Sequence, residues 1–145
     1  MSNCGDTDLV TFRVEGAPVA KGRARAAVIG GMARLYTPQK TRKYEDQVRI
    51  AAACAMGARR PFEGEVIMTV TALVPIPKSF SIKKRATAIA GIIRPTTRPD
   101  ADNYAKAALD GCNGILFRDD SQITDLIIRK RFATEPHLII TMEAM

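Results

Sequence analysis

Four aspartates in two tight pairs are the residues of this sequence best suited to chemistry. Asp100 and Asp102 stand two positions apart, and Asp119 and Asp120 are adjacent. Carboxylate oxygens are hard ligands of the kind that Mg²⁺ prefers, and Mg²⁺ needs few of them because it keeps water and substrate phosphate. A metal held in this way can activate water and stabilise an in-line phosphoryl displacement. The pattern therefore indicates a divalent-metal site that acts on phosphate esters.

The same residues also have ordinary structural explanations. Asp102 precedes a predicted helix and could be its N-cap, and Asp119-Asp120 could form a turn, which aspartate favours. Lys106 lies four residues after Asp102 and four before Asp110, which is the spacing of ion pairs on a helix surface. The spacing alone leaves both interpretations open: a metal centre, or caps, turns and surface ion pairs.

Basic residues dominate the sequence around this acidic region. The chain has 145 residues and a formal net charge of +7, with no acid between positions 20 and 43 or between 66 and 99. A positive surface attracts the phosphate backbone of nucleic acids, although such runs also form ordinary solvated surfaces. The candidate DNA-binding residues are Lys21, Arg23, Arg25, Arg34, Lys40, Arg42, Lys43, Lys83, Lys84 and Arg85.

Length and composition favour one domain, residues 1–145, with a core of its own. No apolar run reaches the roughly 18 residues of a membrane span, and the polar start argues against a signal peptide. The cysteines, Cys4, Cys54 and Cys112, lack the spacing of a disulfide framework or a zinc site. A reducing, cytoplasmic setting follows. With His137 as the one histidine, a histidine-centred triad is disfavoured.

Hydrophobic periodicity and turn residues predict the elements that must position the acidic pairs. The first expected elements are a strand Leu9–Glu15, a hairpin turning at Gly30-Gly31, a helix from Thr41 to about Met56 stopped by Gly57, and a central strand Glu65–Leu73. They are followed by a short helix Ser79–Ile89, a loop or short extended segment Ile92–Pro99, and a helix Asn103–Gly111 ended by Gly111 and Gly114. The last elements are strands Ile123–Phe132 and Leu138–Met142 joined by a hairpin turn. This order predicts an α+β or mixed α/β sandwich.

Two expectations about the geometry of the acidic pairs follow from the predicted elements. If the loop before the third helix is extended, Asp100 and Asp102 project from the same side. Because the third helix would bring the chain back, the two acidic pairs can converge. The basic hairpin at Gly30-Gly31 could lie along a phosphate backbone, or it could be an edge hairpin that its charges protect from pairing.

The stretch RPDADNYAKAALDGCNGILFRDDSQI, residues 98–123, resembles the signature of RusA-type Holliday-junction resolvases, which are often prophage-encoded. That signature combines Asp-x-Asp-Asn, a lysine three residues later, an aspartate further along the helix, and Asp-Asp-x-Gln before a strand. Upstream, GAPVAKGRARA and LYTPQKTRKYEDQV are similar to the basic segment and first long helix of the family. The resemblance spans nearly the whole chain, and the acidic motif carries most of it.

The resemblance implies a homodimeric endonuclease that uses Mg²⁺, or Mn²⁺, to cut four-way junction DNA by paired nicks in recombination and repair. It places the catalytic, metal-binding carboxylates on Asp100, Asp102 and Asp120, with Asp119 as a further candidate ligand. It places an essential lysine on Lys106, one helical turn from Asp102, where an ammonium can stabilise developing negative charge. Two alternatives remain: a non-catalytic DNA-junction-binding protein, and a nuclease that prefers flaps or forks.

Overall fold

A mixed sheet with helices against it forms the body of the computed structural model, which describes residues 8–22 and 24–145. The elements are β1 (Asp8–Glu15), β2 (Arg25–Ile29), β3 (Met32–Tyr36), α1 (Gln39–Met56), β4 (Val66–Pro75), α2 (Ile82–Ile89), α3 (Ala101–Cys112), a 3-10 turn (Asp120–Gln122), β5 (Ile123–Ala133) and β6 (His137–Ala144). The main sheet has the order β1-β6-β4-β5, and β2 and β3 form a separate hairpin. The predicted mixture of α and β structure is confirmed.

Strand β4 is the centre of the core because every second side chain faces the helices. Val66, Met68, Val70 and Ala72 are completely buried, as the period of a strand requires when one face meets an apolar layer. β4 pairs antiparallel with β6 and parallel with β5. The central strand expected at Glu65–Leu73 is therefore confirmed, and it extends to Pro75.

Helices α1 and α3 pack closely against each other, and Gly111 makes this possible. A Cβ atom at position 111 would lie 2.6 Å from the Cβ of Val48, so only glycine fits. The sequence predicted Gly111 as a helix breaker, which is wrong: the residue lies inside α3, buried, and the helix continues to Cys112. The close approach of two helices overrides the intrinsic helix propensity of glycine.

The strands β5 and β6 do not form the predicted hairpin. β4 lies between them in the sheet, so the chain crosses from one side of β4 to the other through residues 134–136. The local turn residues suggested direct pairing, but β5 and β6 pair instead with the two opposite edges of β4. β5 is consequently an edge strand, with Leu126 and Ile127 about two-fifths exposed.

Two predicted helix caps are also wrong. α1 begins at Gln39, and Thr41 lies buried inside it, where its hydroxyl accepts a hydrogen bond from the Gly22 N–H at 3.1 Å. α3 begins at Ala101, so Asp102 belongs to its first turn and Asp100 is the N-cap residue. The stop at Gly57 is confirmed, with a left-handed φ of 59° that glycine adopts without strain.

The remaining predicted elements fall close to their observed positions. The hairpin turns at Gly30-Gly31, α2 is shorter than predicted and begins after Ser81, and residues 92–99 contain no helix or strand. Among the described residues, no helix combines the length and the apolar character that a membrane crossing requires.

Candidate functional site

Helix α3 has one acidic pair at each end. We call Asp100 and Asp102 the helix-start pair, and Asp119 and Asp120 the turn pair. The start of α3 lies beside the C-terminal ends of β4 and β5, because Tyr104 borders one cavity together with Pro75 and Phe132. The 12 residues of α3 extend about 18 Å along the helix axis.

The turn pair lies at the opposite end of the sheet, beside the start of β4. The Phe62 N–H donates to the Leu116 carbonyl at 2.9 Å, and the Leu116 N–H donates to the carbonyl of Cys112, the last residue of α3, at 3.1 Å. Within residues 8–22 and 24–145, no three His, Cys, Asp or Glu side chains are grouped to hold a metal ion. The expected convergence of the pairs within one chain is therefore wrong, because α3 separates them by its length.

The helix-start pair offers carboxylates that the described part of the chain does not use. Asp100 has extended backbone angles (φ −71°, ψ 151°) and makes no side-chain capping bond, while Asp102 is helical. The same-side projection from an extended loop is thus wrong for Asp102. Both residues are exposed, and neither joins an ion pair with another described residue.

The turn pair sits on a tightly secured turn. The Asp119 carboxylate accepts a hydrogen bond from the Ser121 N–H at 3.1 Å and caps the 3-10 turn. Hydrogen bonds from the Ser121 side chain and from its backbone N–H lower the pKa of the Asp119 carboxyl. Asp120 follows, exposed, on the first position of the turn. The two adjacent acids therefore differ: Asp119 serves the backbone, and no described residue shares an ion pair with Asp120.

Gln122 fastens this turn to the segment before β4. Its Oε1 accepts from the backbone N–H groups of Arg118 (2.8 Å) and Asp119 (2.9 Å). Its Nε2 donates to the carbonyls of Phe62 and Gly64, both at 2.8 Å. The sequence identified Gln122 only as part of a motif, and the structure gives it a positioning role: it sets where Asp120 is presented.

Lys106 forms the predicted surface ion pair on α3. Its Nζ lies 3.1 Å from Oδ1 of Asp110, four residues later, and the side chain is about half exposed. The alternative pairing with Asp102 is not formed. In this state the ammonium is directed along the helix away from the helix-start pair.

Lys21 is held by two carboxylates rather than presented to solvent. Its Nζ lies 2.6 Å from Glu45 and 3.0 Å from Asp110, and its side chain is 22% exposed. Burial acts to lower the pKa of Lys21, but hydrogen bonds and charge attraction from Glu45 and Asp110 outweigh it, so the pKa is raised. The Lys21 N–H also donates to the Asn103 carbonyl at 2.8 Å. Lys21 thus anchors the segment after β1 to α1 and α3, and a DNA contact at this residue stays a prediction.

Two of the other predicted DNA-binding residues lie near the helix-start pair. Lys40 and Lys84 border two adjoining cavities that share Pro75, Pro99 and Tyr104 as lining residues. Arg23 lies outside the described residues, and Arg25 is the first residue of β2. The exposed members of the set are Arg34, Lys40, Arg42, Lys43, Lys83, Lys84 and Arg85.

Sequence reasoning missed further cations at this end of the molecule. Arg94, Arg98 and Lys130 line the larger cavity, and Arg131 lies on the same end of β5. The signal was present in the acid-free segment before Pro99 and in the run Arg129-Lys130-Arg131. The sequence did not reveal that β5 lies parallel to β4. This pairing places the end of β5 beside the start of α3.

Comparison with known proteins adds independent information. The sequence matches the family described as Endodeoxyribonuclease RusA over residues 15–143. It is 38% identical over 136 residues to the uncharacterized protein YqaN of Bacillus subtilis (strain 168), an alignment that covers 90% of this chain and 93% of that protein. The matched range includes both acidic pairs, Lys106 and all the predicted DNA-binding residues.

Proposed function

Because this chain belongs to the RusA endodeoxyribonuclease family, we propose that it resolves Holliday junctions by paired, divalent-metal-dependent nicks. The observation that carries the proposal is the family match over residues 15–143, which contains the whole acidic motif. The proposed cellular role is DNA recombination and repair in the cytoplasm. The exposed basic residues near the helix-start pair support a substrate with a phosphate backbone.

The acidic side chains fit Mg²⁺ or Mn²⁺ by their chemistry. Asp100, Asp102 and Asp120 offer exposed carboxylate oxygens that no described ion pair uses. Asp119 can add the carboxylate oxygen that its cap leaves open. Mg²⁺ usually takes one or two carboxylates together with substrate phosphate and water, so a large preformed cage is not required. Such an ion would supply charge stabilisation and a more acidic water for phosphodiester hydrolysis.

We also propose that the active form is a homodimer in which each site uses both copies. Within one chain, the two acidic pairs lie at opposite ends of α3, a helix of 12 residues that is about 18 Å long. A two-fold axis can place the turn pair of one copy beside the helix-start pair of the other, and an isologous contact then creates two identical sites. Two sites related by a two-fold axis suit a junction that is cut symmetrically on two strands.

The remaining residues would bind and position the DNA. Lys106 would leave Asp110 and neutralise charge on the scissile phosphate, since an ammonium there favours the more negative transition state. The basic residues would hold the junction arms through phosphates, so binding should weaken steeply as salt concentration rises. The proposed DNA contacts are Lys21, Arg23, Arg25, Arg34, Lys40, Arg42, Lys43, Lys83, Lys84 and Arg85.

A substrate panel tests this proposal. The full chain is incubated with a mobile four-way junction, a flap, a fork and a linear duplex, each with Mg²⁺, with Mn²⁺ or with a chelator. We expect symmetric paired nicks in the junction alone and only with metal, while junction binding persists in chelator. Light scattering on the same sample should give the mass of a dimer.

Each competing function has its own outcome in the panel. Preferred cutting of flaps or forks would replace the resolvase proposal with a different nuclease. Junction binding without cleavage under either metal would favour a non-catalytic binding protein. Cutting that continues in chelator would contradict the metal requirement.

A further inference from the structure

A cavity of about 670 Å³ opens beside the helix-start pair. It lies between the C-terminal ends of β4 and β5, helix α2 and the segment 92–99. We propose that this cavity binds an unpaired nucleotide of the DNA substrate, with the base against its apolar walls and the phosphates on its cationic rim. The proposal rests on the proposed function for the nature of the polymer.

Aromatic side chains form part of the cavity wall. Phe80 and Phe132 meet edge to face, with ring centroids 5.6 Å apart and an interplanar angle of 73°. Tyr104 closes the side next to α3 and is 5% exposed. Aromatic walls hold unpaired bases by stacking, which tolerates any sequence because every base has a π face. The volume lies within the roughly 300–1,000 Å³ range of small-molecule sites, so a base with its sugar fits.

The charge of the cavity lining indicates an anionic ligand. Lys84, Arg94, Arg98 and Lys130 contribute to the lining, and no acidic residue does so within the described part of the chain. The Lys84 ammonium lies 4.2 Å from the centroid of the Phe80 ring, which places a cation at the aromatic wall. An apolar interior with a purely cationic rim complements a nucleotide, which is apolar on the base faces and negative at the phosphate.

Further cations lie close to this rim. Partial burial lowers the pKa of Arg131, and the neighbouring charges of Arg94 and Arg129 lower it further. None of these three arginines forms an ion pair with an acid among the described residues. Like charges placed together are unfavourable until an opposite charge arrives. A DNA phosphate would relieve this repulsion.

The position of the cavity relates it to the proposed cleavage site. Arg98 and Pro99 are lining residues, and the next residue in the chain is Asp100. The Lys130 ammonium donates to the Thr97 carbonyl at 2.7 Å and so ties this segment to β5. A nucleotide in the cavity would therefore neighbour the phosphate presented to the helix-start pair. Paired and stacked bases cannot enter such a cavity, whereas a base at the branch point of a junction can.

The test compares two junctions that differ by one base. One four-way junction carries a single unpaired thymidine at the branch point, and the other carries an abasic residue there. Dissociation constants are measured by fluorescence anisotropy without divalent metal. We expect the unmodified protein to bind the thymidine junction at least about fivefold more tightly, since stacking on an aromatic side chain gives this much per base. Phe80→Ala should bind both junctions equally, and Phe80→Tyr should keep the preference.

Matched variants separate the base contact from general effects. Ile82 lies on the same helix, is 90% exposed and does not line the cavity, so Ile82→Ala should keep the preference. Arg94→Ala changes an exposed side chain and should weaken the binding of both junctions by the same factor. Thermal unfolding shows whether Phe80→Ala still folds. If it does not, the nucleotide cavity is tested by comparing the binding of the two junctions to the unmodified protein.

The results distinguish failure of this inference from failure of the proposed function. Equal binding of the two junctions by the unmodified protein would overturn the nucleotide cavity, even if the protein cleaves junctions with metal. Loss of the preference in Ile82→Ala would also overturn it. A clear preference for the thymidine junction would support the cavity even if no metal produced cleavage, because the binding assay contains no divalent ion.

Discussion

The helix-start pair and the turn pair have nearly the same composition, but the backbone uses them differently. Asp100 and Asp102 lie at the exposed start of α3, outside every described ion pair. In the turn pair, the Asp119 carboxylate caps a 3-10 turn, and Asp120 alone is left outside the capping bonds. The turn pair is also fixed to the rest of the chain by Gln122, whereas no side chain within residues 8–22 and 24–145 forms an ion pair with the helix-start acids.

Neighbouring acids in a motif therefore need not have equivalent roles. A carboxylate that accepts a backbone N–H bond stabilises the turn that contains it, and that turn then fixes the orientation of the next residue. We infer that Asp119 positions Asp120, while Asp100 and Asp102 would gain their charged partner only when a cation binds. The experiments below test whether the two pairs differ in this way.

Neutralising an acid from either pair is expected to have the largest effect. Asp100→Asn or Asp120→Asn should reduce junction cleavage by more than about 100-fold, because even indirect partners of a metal contribute 10- to 100-fold. Junction binding should persist or tighten, since the substitution removes negative charge from a basic protein. Single-turnover rates and dissociation constants measure both effects. Asp125→Asn, an exposed acid of the same region, is the control and should cleave normally; full activity in both site variants would remove these acids from the site.

Releasing the turn should have the next largest effect. Gln122→Leu removes the hydrogen bonds to Phe62, Gly64, Arg118 and Asp119, and we expect the free energy of unfolding to fall by about 2–3 kcal/mol. Urea unfolding measures this change. Gln47→Leu alters an exposed glutamine of α1 and should change stability by less than about 0.5 kcal/mol. Equal stabilities for the two variants would show that Gln122 does not secure the turn.

Lys21 anchors the segment after β1 to helices α1 and α3. Lys21→Met leaves the Glu45 and Asp110 carboxylates without their shared cation, and the free energy of unfolding should fall by about 1–3 kcal/mol. Because the pKa of Lys21 is raised in the folded protein, this contribution should be constant from about pH 6 to about pH 10 and disappear as pH rises through the raised value. Lys78→Met, an exposed lysine, is the control. A stability difference from the parent protein that varies between pH 6 and 9 would contradict the assignment.

The smallest effect is expected from the cap itself. The pKa of Asp119 is lowered, so its contribution to the turn is present above the ordinary value of about 3.9 and is lost as pH falls through the lower value in the folded protein. Asp119→Asn should keep an acceptor for the Ser121 N–H, whereas Asp119→Ala should lose it. Amide hydrogen exchange at Ser121 reports the difference. If Asp119→Asn stops cleavage as completely as Asp120→Asn, the carboxylate of Asp119 is itself a ligand.

Much of the secondary structure was predictable because it depends on local patterns. The alternation of β4, the glycine turn of the β2–β3 hairpin and the stop at Gly57 are all features of neighbouring residues. The errors have a common origin in contacts between distant residues. Thr41 is a residue type that often caps helices, but its hydroxyl accepts a hydrogen bond from the Gly22 N–H. Gly111 is a residue type that often ends helices, but here it leaves room for the side chain of Val48.

From the amino-acid sequence alone we could predict which residues would carry the chemistry, because the acidic motif and the basic segments are properties of composition and spacing. The sequence also identified the family, since the family's motif can be recognised directly in the order of the residues. How those residues are distributed in space became visible only in the folded protein. The length of α3 separates the two acidic pairs, and the parallel pairing of β4 with β5 brings cations and aromatic side chains to the helix-start pair. Both facts depend on which strands pair and how a helix lies across them, and no local pattern of residues specifies that.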